Sequence, residues 1–200
     1  MARLAAAFIA MVAWIGLAVQ FNATYAAGYS ISETLWILVR FFTILTNLAV
    51  AVAMTAIALG ATLRPSLLGG LTLAIVLVGI VYMTLLRGLL ELSGGALLAD
   101  TLLHKVTPLL VPAWWLAFAP KGCLGWRDPW LWAVFPAAYL PYAIWRGSLD
   151  GNYAYPFLNI AELGAPSVAL NAVAIAAGFL IAGYALVAFD RRLGRRGTGR

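Results

Sequence analysis

The sequence predicts an all-α, polytopic membrane protein, folded as a single bundle of six transmembrane helices. Of its 200 residues, 64% are hydrophobic and only 10% are charged, whereas about a quarter of the residues in a soluble domain are charged. The apolar residues fall into six runs separated by polar or charged loops, and the chain shows no internal repeat and no separate soluble domain. The predicted spans are residues 5–19, 34–59, 67–86, 101–118, 129–145 and 166–189.

The first two spans are marked by their flanking residues. The run 5–19 follows Arg3 and is also typical of a signal peptide with a cleavage site near Tyr25, although a retained span is the preferred interpretation. Ser30 and Glu33 form the pattern of a capping box, which predicts the start of a helix just before the run 34–59.

The third and fourth spans carry most of the remaining polar residues. The short turn at 64–66 predicts that the second and third spans are antiparallel neighbours. The fourth span is expected to begin at Asp100 or Thr101 and contains His104 and Pro108. Because proline lacks an amide proton, Pro108 frees the carbonyl of His104 and is expected to bend the helix there.

The last two spans lead to a basic terminus. The fifth span, 129–145, is expected to be interrupted by Pro136 and Pro141, and an aromatic loop at 152–159 suits the headgroup level of a membrane. The sixth span, 166–189, is followed by a basic tail at 191–200 that is expected to be cytoplasmic.

The positive charges predict the orientation of the chain. Six spans place both termini on one side, and most of the basic loop and tail residues fall on that side, so both termini are expected in the cytoplasm and the chain in the plasma membrane. The formal net charge of +6 is concentrated in these flanks, which argues against a nucleic-acid partner. The basic residues assigned to the cytoplasmic side are Arg3, Arg64, Lys121, Arg127, Arg191, Arg192, Arg195, Arg196 and Arg200.

A polar stripe inside the second span is the strongest functional signal. On a continuous helix Arg40, Thr43 and Asn47 share one face, with Thr46 at its margin. A charged side chain at the centre of a span costs about 2.5 kcal/mol or more, so this face should point to the protein interior or to a wet cavity. Two structural alternatives remain: Arg40 snorkels to the surface, and the Thr43 hydroxyl bonds to a backbone carbonyl.

A threonine nucleophile needs a base, and the chain offers only one histidine. The predicted topology brings Thr43 and His104 into the membrane from the same side on two helices. Asp100 precedes His104 by one helical turn, where it would either orient the imidazole or cap the start of the fourth helix. His104 could also simply hydrogen-bond a neighbouring helix.

Metal and cofactor chemistry is not expected. Cys123 is the only cysteine and His104 the only histidine, so neither a thiolate cluster nor a two-histidine site can form within the chain. The sequence also lacks the Gly-x-Ser-x-Gly, His-Glu-x-x-His and glycine-rich phosphate-loop patterns.

Four blocks of sequence, 40–47, 104–108, 145–147 and 153–158, resemble the bacterial Pr6Pr membrane proteins. That group is similar to the eukaryotic androgen-induced-gene family of six-span proteins, which hydrolyse fatty acid esters of hydroxy fatty acids with a membrane-embedded threonine and histidine. The resemblance implies that Thr43 is the nucleophile and His104 its base. Thr46 is a nearby competitor, and Thr43 is preferred because it follows the Arg-Phe-Phe of the first block.

The sequence therefore predicts a membrane-embedded lipid ester hydrolase whose partner is a membrane lipid or a fatty acid ester. Arg40, Asn47 or Arg146 is expected to contact the developing oxyanion or a substrate carboxylate. The rival interpretation is a non-enzymatic lipid-binding or scaffold protein, in which the same polar residues join helices. A transporter is disfavoured because the second span is almost wholly apolar beyond Asn47. The sequence does not indicate an oligomeric state.

Overall fold

The computed structural model describes residues 1–197, with the backbone alone for Arg196 and Gly197, and the described chain is all-α. Arg200 of the predicted basic tail lies outside the described residues. The α-helices of the described residues are α1 (Ala2–Tyr25), α2 (Ile31–Leu38), α3 (Phe42–Ala58), α4 (Pro65–Val81), α5 (Gly94–Thr101), α6 (Thr107–Phe118), α7 (Asp128–Asp150) and α8 (Ile160–Gly197).

The described chain divides into two compact units with the boundary between Pro120 and Lys121, and the single six-helix domain expected over residues 1–190 stays a prediction. In the first unit α1 packs against α3, α5 and α6, while α4 packs against α3 and α6. Such helices are apolar on every side, so hydropathy alone does not single out a face for each neighbour. The sequence therefore indicated where helices lie but not which of them form one unit.

The predicted continuous span at 34–59 is wrong in one respect, because a sharp bend divides it. Helix α2 ends at Leu38, α3 begins at Phe42, and their axes differ by 97°. Phe41 is extended between them, and its carbonyl accepts the amides of Ile44 and Leu45, so α3 starts as a new helix. No proline or glycine marks this break, and the apolar run continues through it. Arg40 therefore does not share a helical face with Thr43.

The start of α2 agrees with the sequence. The hydroxyl oxygen of Ser30 accepts the amide of Glu33, and the Glu33 carboxylate accepts the Ser30 amide at 2.8 Å. The predicted capping box is thus confirmed.

Two π-helical segments interrupt the helices that carry the polar residues. The first π segment, Tyr82–Leu86, continues α4, and the second π segment, Leu102–Val106, joins α5 to α6. Together α5, the second π segment and α6 form one rod that starts at Gly94, six residues before the predicted start. Asp100 consequently lies within the rod and does not cap it. The second π segment ends two residues before Pro108, and the bend expected at His104 stays a prediction.

The second unit is built from α7 and α8. Helix α7 continues through Pro136 and Pro141 without the expected interruption. Helix α8 has a non-helical residue, Gly164 (φ 74°), near its start, and its longer part contains the predicted span 166–189 and extends to Gly197. Buried Asp190 of α8 fixes the loop before α7, because its Oδ2 accepts the Leu124 amide at 2.9 Å.

Among residues 1–197, three helical stretches are long and apolar enough to cross a membrane: Ala2–Tyr25, Pro65–Leu86 and Ile160–Arg195. The bent pair of α2 and α3 meets the same requirement when its two parts are counted together. Large apolar side chains on these helices are also exposed, including Leu170 and Ile181 at about 70%, which is typical of surfaces that face another apolar phase. These features indicate a membrane protein.

Candidate functional site

The first unit brings together the threonine and the histidine that the sequence singled out. Thr43 is the second residue of α3, and its Oγ1 lies 3.2 Å from Nε2 of His104 in the second π segment. Thr43 is 5% exposed, whereas the His104 side chain is 21% exposed. A hydroxyl and an imidazole at this distance can share a proton. Their catalytic role stays a prediction.

The carboxylate of Asp100 lies on the other side of the imidazole. Its Oδ1 is 3.1 Å from His104 Nδ1. Within the described residues Nδ1 has no hydrogen bond of good geometry, so at this distance the carboxylate and the imidazole make an electrostatic contact. Asp100 lies inside the helical rod and does not cap its start, and its orienting role stays a prediction.

The second oxygen of Asp100 is held by two further side chains. The hydroxyl of Tyr82 donates to Oδ2 at 2.6 Å, and Nζ of Lys105 lies 3.4 Å from the same atom. Lys105 also stands over the Tyr82 ring, 5.3 Å from its centroid. The negative charge of buried Asp100 is therefore compensated by a cation and a hydroxyl donor, which a buried carboxylate requires.

Asn47 connects α3 to the rod that carries His104. Its Nδ2 donates to the carbonyl of Thr43 on its own helix at 2.9 Å and to the carbonyl of Leu103 at 3.2 Å. In the second π segment the Thr107 amide bonds to Leu102, and Pro108 has no amide to offer, so the Leu103 carbonyl receives neither of these helical donors. The Asn47 amide supplies a donor to it.

This geometry narrows the predicted substrate-binding role of Asn47. Both protons of its amide point to backbone carbonyls, so the amide has no donor left for an oxyanion. Its Oδ1 is buried and has no hydrogen-bond partner within residues 1–197. An interaction of Asn47 with a substrate would have to use this acceptor.

Two glycines allow neighbouring helices to approach the second π segment closely. A Cβ at Gly79 of α4 would lie 2.9 Å from Cβ of Pro108, and a Cβ at Gly16 of α1 would lie 2.7 Å from Cδ2 of Leu103. Real Cβ atoms essentially never show contacts this short, so a larger residue at Gly79 would displace the ring of Pro108, and one at Gly16 would displace the end of the Leu103 side chain. Helices α1, α3 and α4 therefore all approach the second π segment or Pro108 closely.

The remaining predicted site residues differ in position. Arg40 lies in the turn between α2 and α3 and is only 6% exposed, so it does not extend to the protein surface. Thr46 is fully buried on α3, and its hydroxyl has no hydrogen-bond partner in the described chain. The hydroxyl that contacts the imidazole is that of Thr43, which agrees with the preference for Thr43 over Thr46.

Arg146 belongs to the second unit, where it is fully buried on α7. Its Nη1 donates to the Tyr142 hydroxyl at 2.8 Å, and its guanidinium carbon is 5.7 Å from the Tyr142 ring centroid. The side chain is thus held by its own helix, and its role in substrate binding stays a prediction.

Sequence reasoning gave no role to Tyr82. The Tyr82 ring stacks on the imidazole of His104, with centroids 4.5 Å apart and planes inclined by 17°. Tyrosine near the end of an apolar helix is usual at a membrane interface, so its presence alone carried little information. A polar residue that starts a π segment would have been a better signal, but sequence does not reveal π segments reliably.

The arrangement of hydroxyl, imidazole and carboxylate is the one that enzymes use to activate a nucleophile. The three side chains come from three helical elements: α3 supplies Thr43, the second π segment supplies His104, and α5 supplies Asp100. Within residues 1–197 no group of three or more metal-ligating side chains is present.

Comparison of the chain with protein-family models, curated proteins and solved structures finds no match.

Proposed function

We propose that this chain is a membrane-embedded lipid ester hydrolase with Thr43 as nucleophile, His104 as general base and Asp100 as the group that orients His104. The observation that carries the proposal is the chain of contacts from Thr43 Oγ1 through both ring nitrogens of His104 to Asp100, at 3.2 and 3.1 Å. The resemblance to threonine hydrolases in the sequence blocks around Thr43 and His104 supports the same roles.

In the first half of the reaction, Thr43 Oγ1 attacks the ester carbonyl carbon while His104 Nε2 takes the hydroxyl proton. The tetrahedral intermediate collapses, the alcohol oxygen leaves, and the imidazolium returns the proton to it. An acyl-threonine ester remains. Asp100 stabilises the transient positive charge on His104 without taking its proton.

In the second half, water attacks the acyl-threonine carbonyl and His104 takes a proton from that water. The intermediate then expels the Thr43 oxygen, which regains the proton from His104, and the free carboxylic acid leaves. The cycle restores the starting protonation state of all three side chains.

The position of Thr43 in α3 favours charge development. As the second residue of a 17-residue helix, it lies at the end where the helix dipole is positive, and that field stabilises negative charge on the reacting oxygens. Arg40, buried in the turn just before this helix, is the proposed partner of a substrate oxyanion or carboxylate.

The proposed substrate is a lipid ester that enters from the membrane, with fatty acid esters of hydroxy fatty acids as the class implied by the resemblance. We propose a plasma-membrane protein whose six spans are α1, the bent pair α2–α3, α4, the rod α5–α6, α7 and α8, with both termini cytoplasmic. The three apolar helical stretches, the bent pair and the distribution of basic residues support this topology.

Hydrolysis of 4-methylumbelliferyl oleate by the detergent-purified full chain tests the function. We expect wild-type turnover to be lost in Thr43→Ala and His104→Ala and kept in Thr46→Ala, with each variant compared at the same folded fraction. Background rates in the wild type would refute the hydrolase and favour the lipid-binding or scaffold role. Loss of turnover in Thr46→Ala but not in Thr43→Ala would assign the nucleophile to Thr46.

A further inference from the structure

Tyr82 makes two separate contacts with the candidate catalytic residues. Its ring lies against the His104 imidazole in a nearly parallel stack, with centroids 4.5 Å apart. Its hydroxyl donates to Asp100 Oδ2 at 2.6 Å. Tyr82 is 8% exposed and therefore belongs to the interior of the first unit. One side chain thus contacts both the base and the residue that orients the base.

We propose that Tyr82 is a positioning residue of the hydrolase, which fixes Asp100 and His104 as a single preorganised unit. This inference rests on the proposed function of Thr43, His104 and Asp100. Tyr82 touches no reacting atom, and its effect on the reaction passes through the other two side chains.

The hydroxyl of Tyr82 and the ammonium group of Lys105 hold the same oxygen of Asp100, and the Tyr82 bond is the shorter of the two contacts. Lys105 Nζ lies 3.4 Å from Oδ2 and is the cation nearest to this carboxylate among the contacts described above. Its side chain is 36% exposed, so it carries less packing restraint than Tyr82. The short Tyr82 bond holds Oδ2 in place, which keeps Oδ1 at 3.1 Å from His104 Nδ1. Without this bond only the longer contact with Lys105 holds Oδ2, so the carboxylate is less restrained.

The stack of the Tyr82 ring on His104 restrains the tilt of the imidazole. The imidazole has Asp100 at one edge and Thr43 at the other, and both contacts fail when the ring tilts out of its plane. The Tyr82 ring covers one face of the imidazole with planes inclined by only 17°. Because catalysis depends on geometry to within about an ångström, restraining this tilt contributes directly to the rate.

The fold makes this restraint possible through two irregular helices. Tyr82 begins the first π segment, where its carbonyl accepts the Arg87 amide at 2.8 Å, and His104 lies in the second π segment. Gly79, one turn before Tyr82, allows α4 to touch Pro108, one turn after His104. The close approach of the two helices at Gly79 and Pro108 brings the rings of Tyr82 and His104 into contact.

Tyr82→Phe tests the inference because it removes the hydroxyl and keeps the stacked ring. We expect kcat for 4-methylumbelliferyl oleate to fall about tenfold with little change in KM, since the hydroxyl acts on the reacting geometry and not on substrate binding. Tyr25→Phe is the matched control: Tyr25 also stacks on a neighbouring ring, that of Phe21 at 6.1 Å, but has no contact with the site. It should leave kcat unchanged.

A double-mutant cycle separates positioning from a general structural effect. Because Tyr82 acts through Asp100, Tyr82→Phe should have almost no further effect on kcat in an Asp100→Asn background. Independent, multiplicative losses in the double variant would refute the inference, as would an unchanged kcat in Tyr82→Phe.

A second measurement distinguishes an incorrect role of Tyr82 from an incorrect assignment of the hydrolase function. Reaction of the wild type with a long-chain alkyl fluorophosphonate should place the label on Thr43, and Tyr82→Phe should slow that labelling in proportion to kcat. No label on the wild type overturns the proposed function. Normal labelling of both proteins at equal rates keeps the function and overturns only the role of Tyr82.

Discussion

Replacing Asn47 by leucine should destabilise the first unit and separate the nucleophile from its base. Leucine is close to asparagine in shape but donates no hydrogen bond, so the Leu103 carbonyl, 3.2 Å from Nδ2 in the native chain, loses this donor. The Thr43 carbonyl is less affected because it lies inside a regular helix. Leaving one buried carbonyl unpaired costs about 1–3 kcal/mol. Since this bond ties α3 to the segment bearing His104, the Thr43–His104 distance should also become less well defined.

The free energy of unfolding can be measured by titration of the full chain with sodium dodecyl sulfate, and the site by the rate of Thr43 labelling with an alkyl fluorophosphonate. Asn171→Leu is the matched control, because the Asn171 amide likewise donates to a backbone carbonyl, that of Phe157 at 3.0 Å. We expect a loss of stability in both variants and slower labelling only in Asn47→Leu. Native stability and native labelling in Asn47→Leu would refute the argument.

Two further predictions concern packing and capping. Gly79→Ala should destabilise the chain by about 1–3 kcal/mol, because the new methyl group would overlap Pro108 at 2.9 Å. The control Gly178→Ala meets no atom within 4 Å and should stabilise the chain by about 0.5–1 kcal/mol. Unfolding titrations that show equal shifts in both variants would contradict this prediction. Ser30→Ala should lower local stability at the start of α2 by about 1 kcal/mol and speed amide exchange there. Ser93→Ala, at a helix start where the side chain makes no capping bond, should leave amide exchange unchanged. Equal amide exchange in the two variants would argue against the capping box.

The all-helical fold and the capping box could be predicted because both depend on nearby residues. Apolar runs of helical length and the spacing of Ser30 and Glu33 are visible in the sequence. The bend at Phe41 could not, because neither proline nor glycine marks it and the extended conformation of a single residue produces it. The face shared by Arg40 and Thr43 was therefore an incorrect extrapolation of one helical period across a break.

In the candidate site, too, the sequence predicted some contacts and missed those that depend on irregular helices. The nearness of Thr43 and His104 could be proposed from their depth and from the presence of only one histidine. The role of Asn47 could not, since the amide of Thr107 bonds to Leu102 and Pro108 has no amide, and these two features leave the Leu103 carbonyl to Asn47. The stack of Tyr82 on His104 likewise depends on close packing between two helices at Gly79, and hydropathy does not specify such contacts.

The central claim is that Thr43 forms a covalent intermediate with the help of His104. Peptide mass spectrometry after reaction of the wild type, Thr43→Ala, Thr46→Ala and His104→Ala with a long-chain alkyl fluorophosphonate tests it most directly. We expect one adduct on Thr43 in the wild type and in Thr46→Ala, and little or none in the other two variants. An adduct on Thr46, or labelling that is independent of His104, would contradict it.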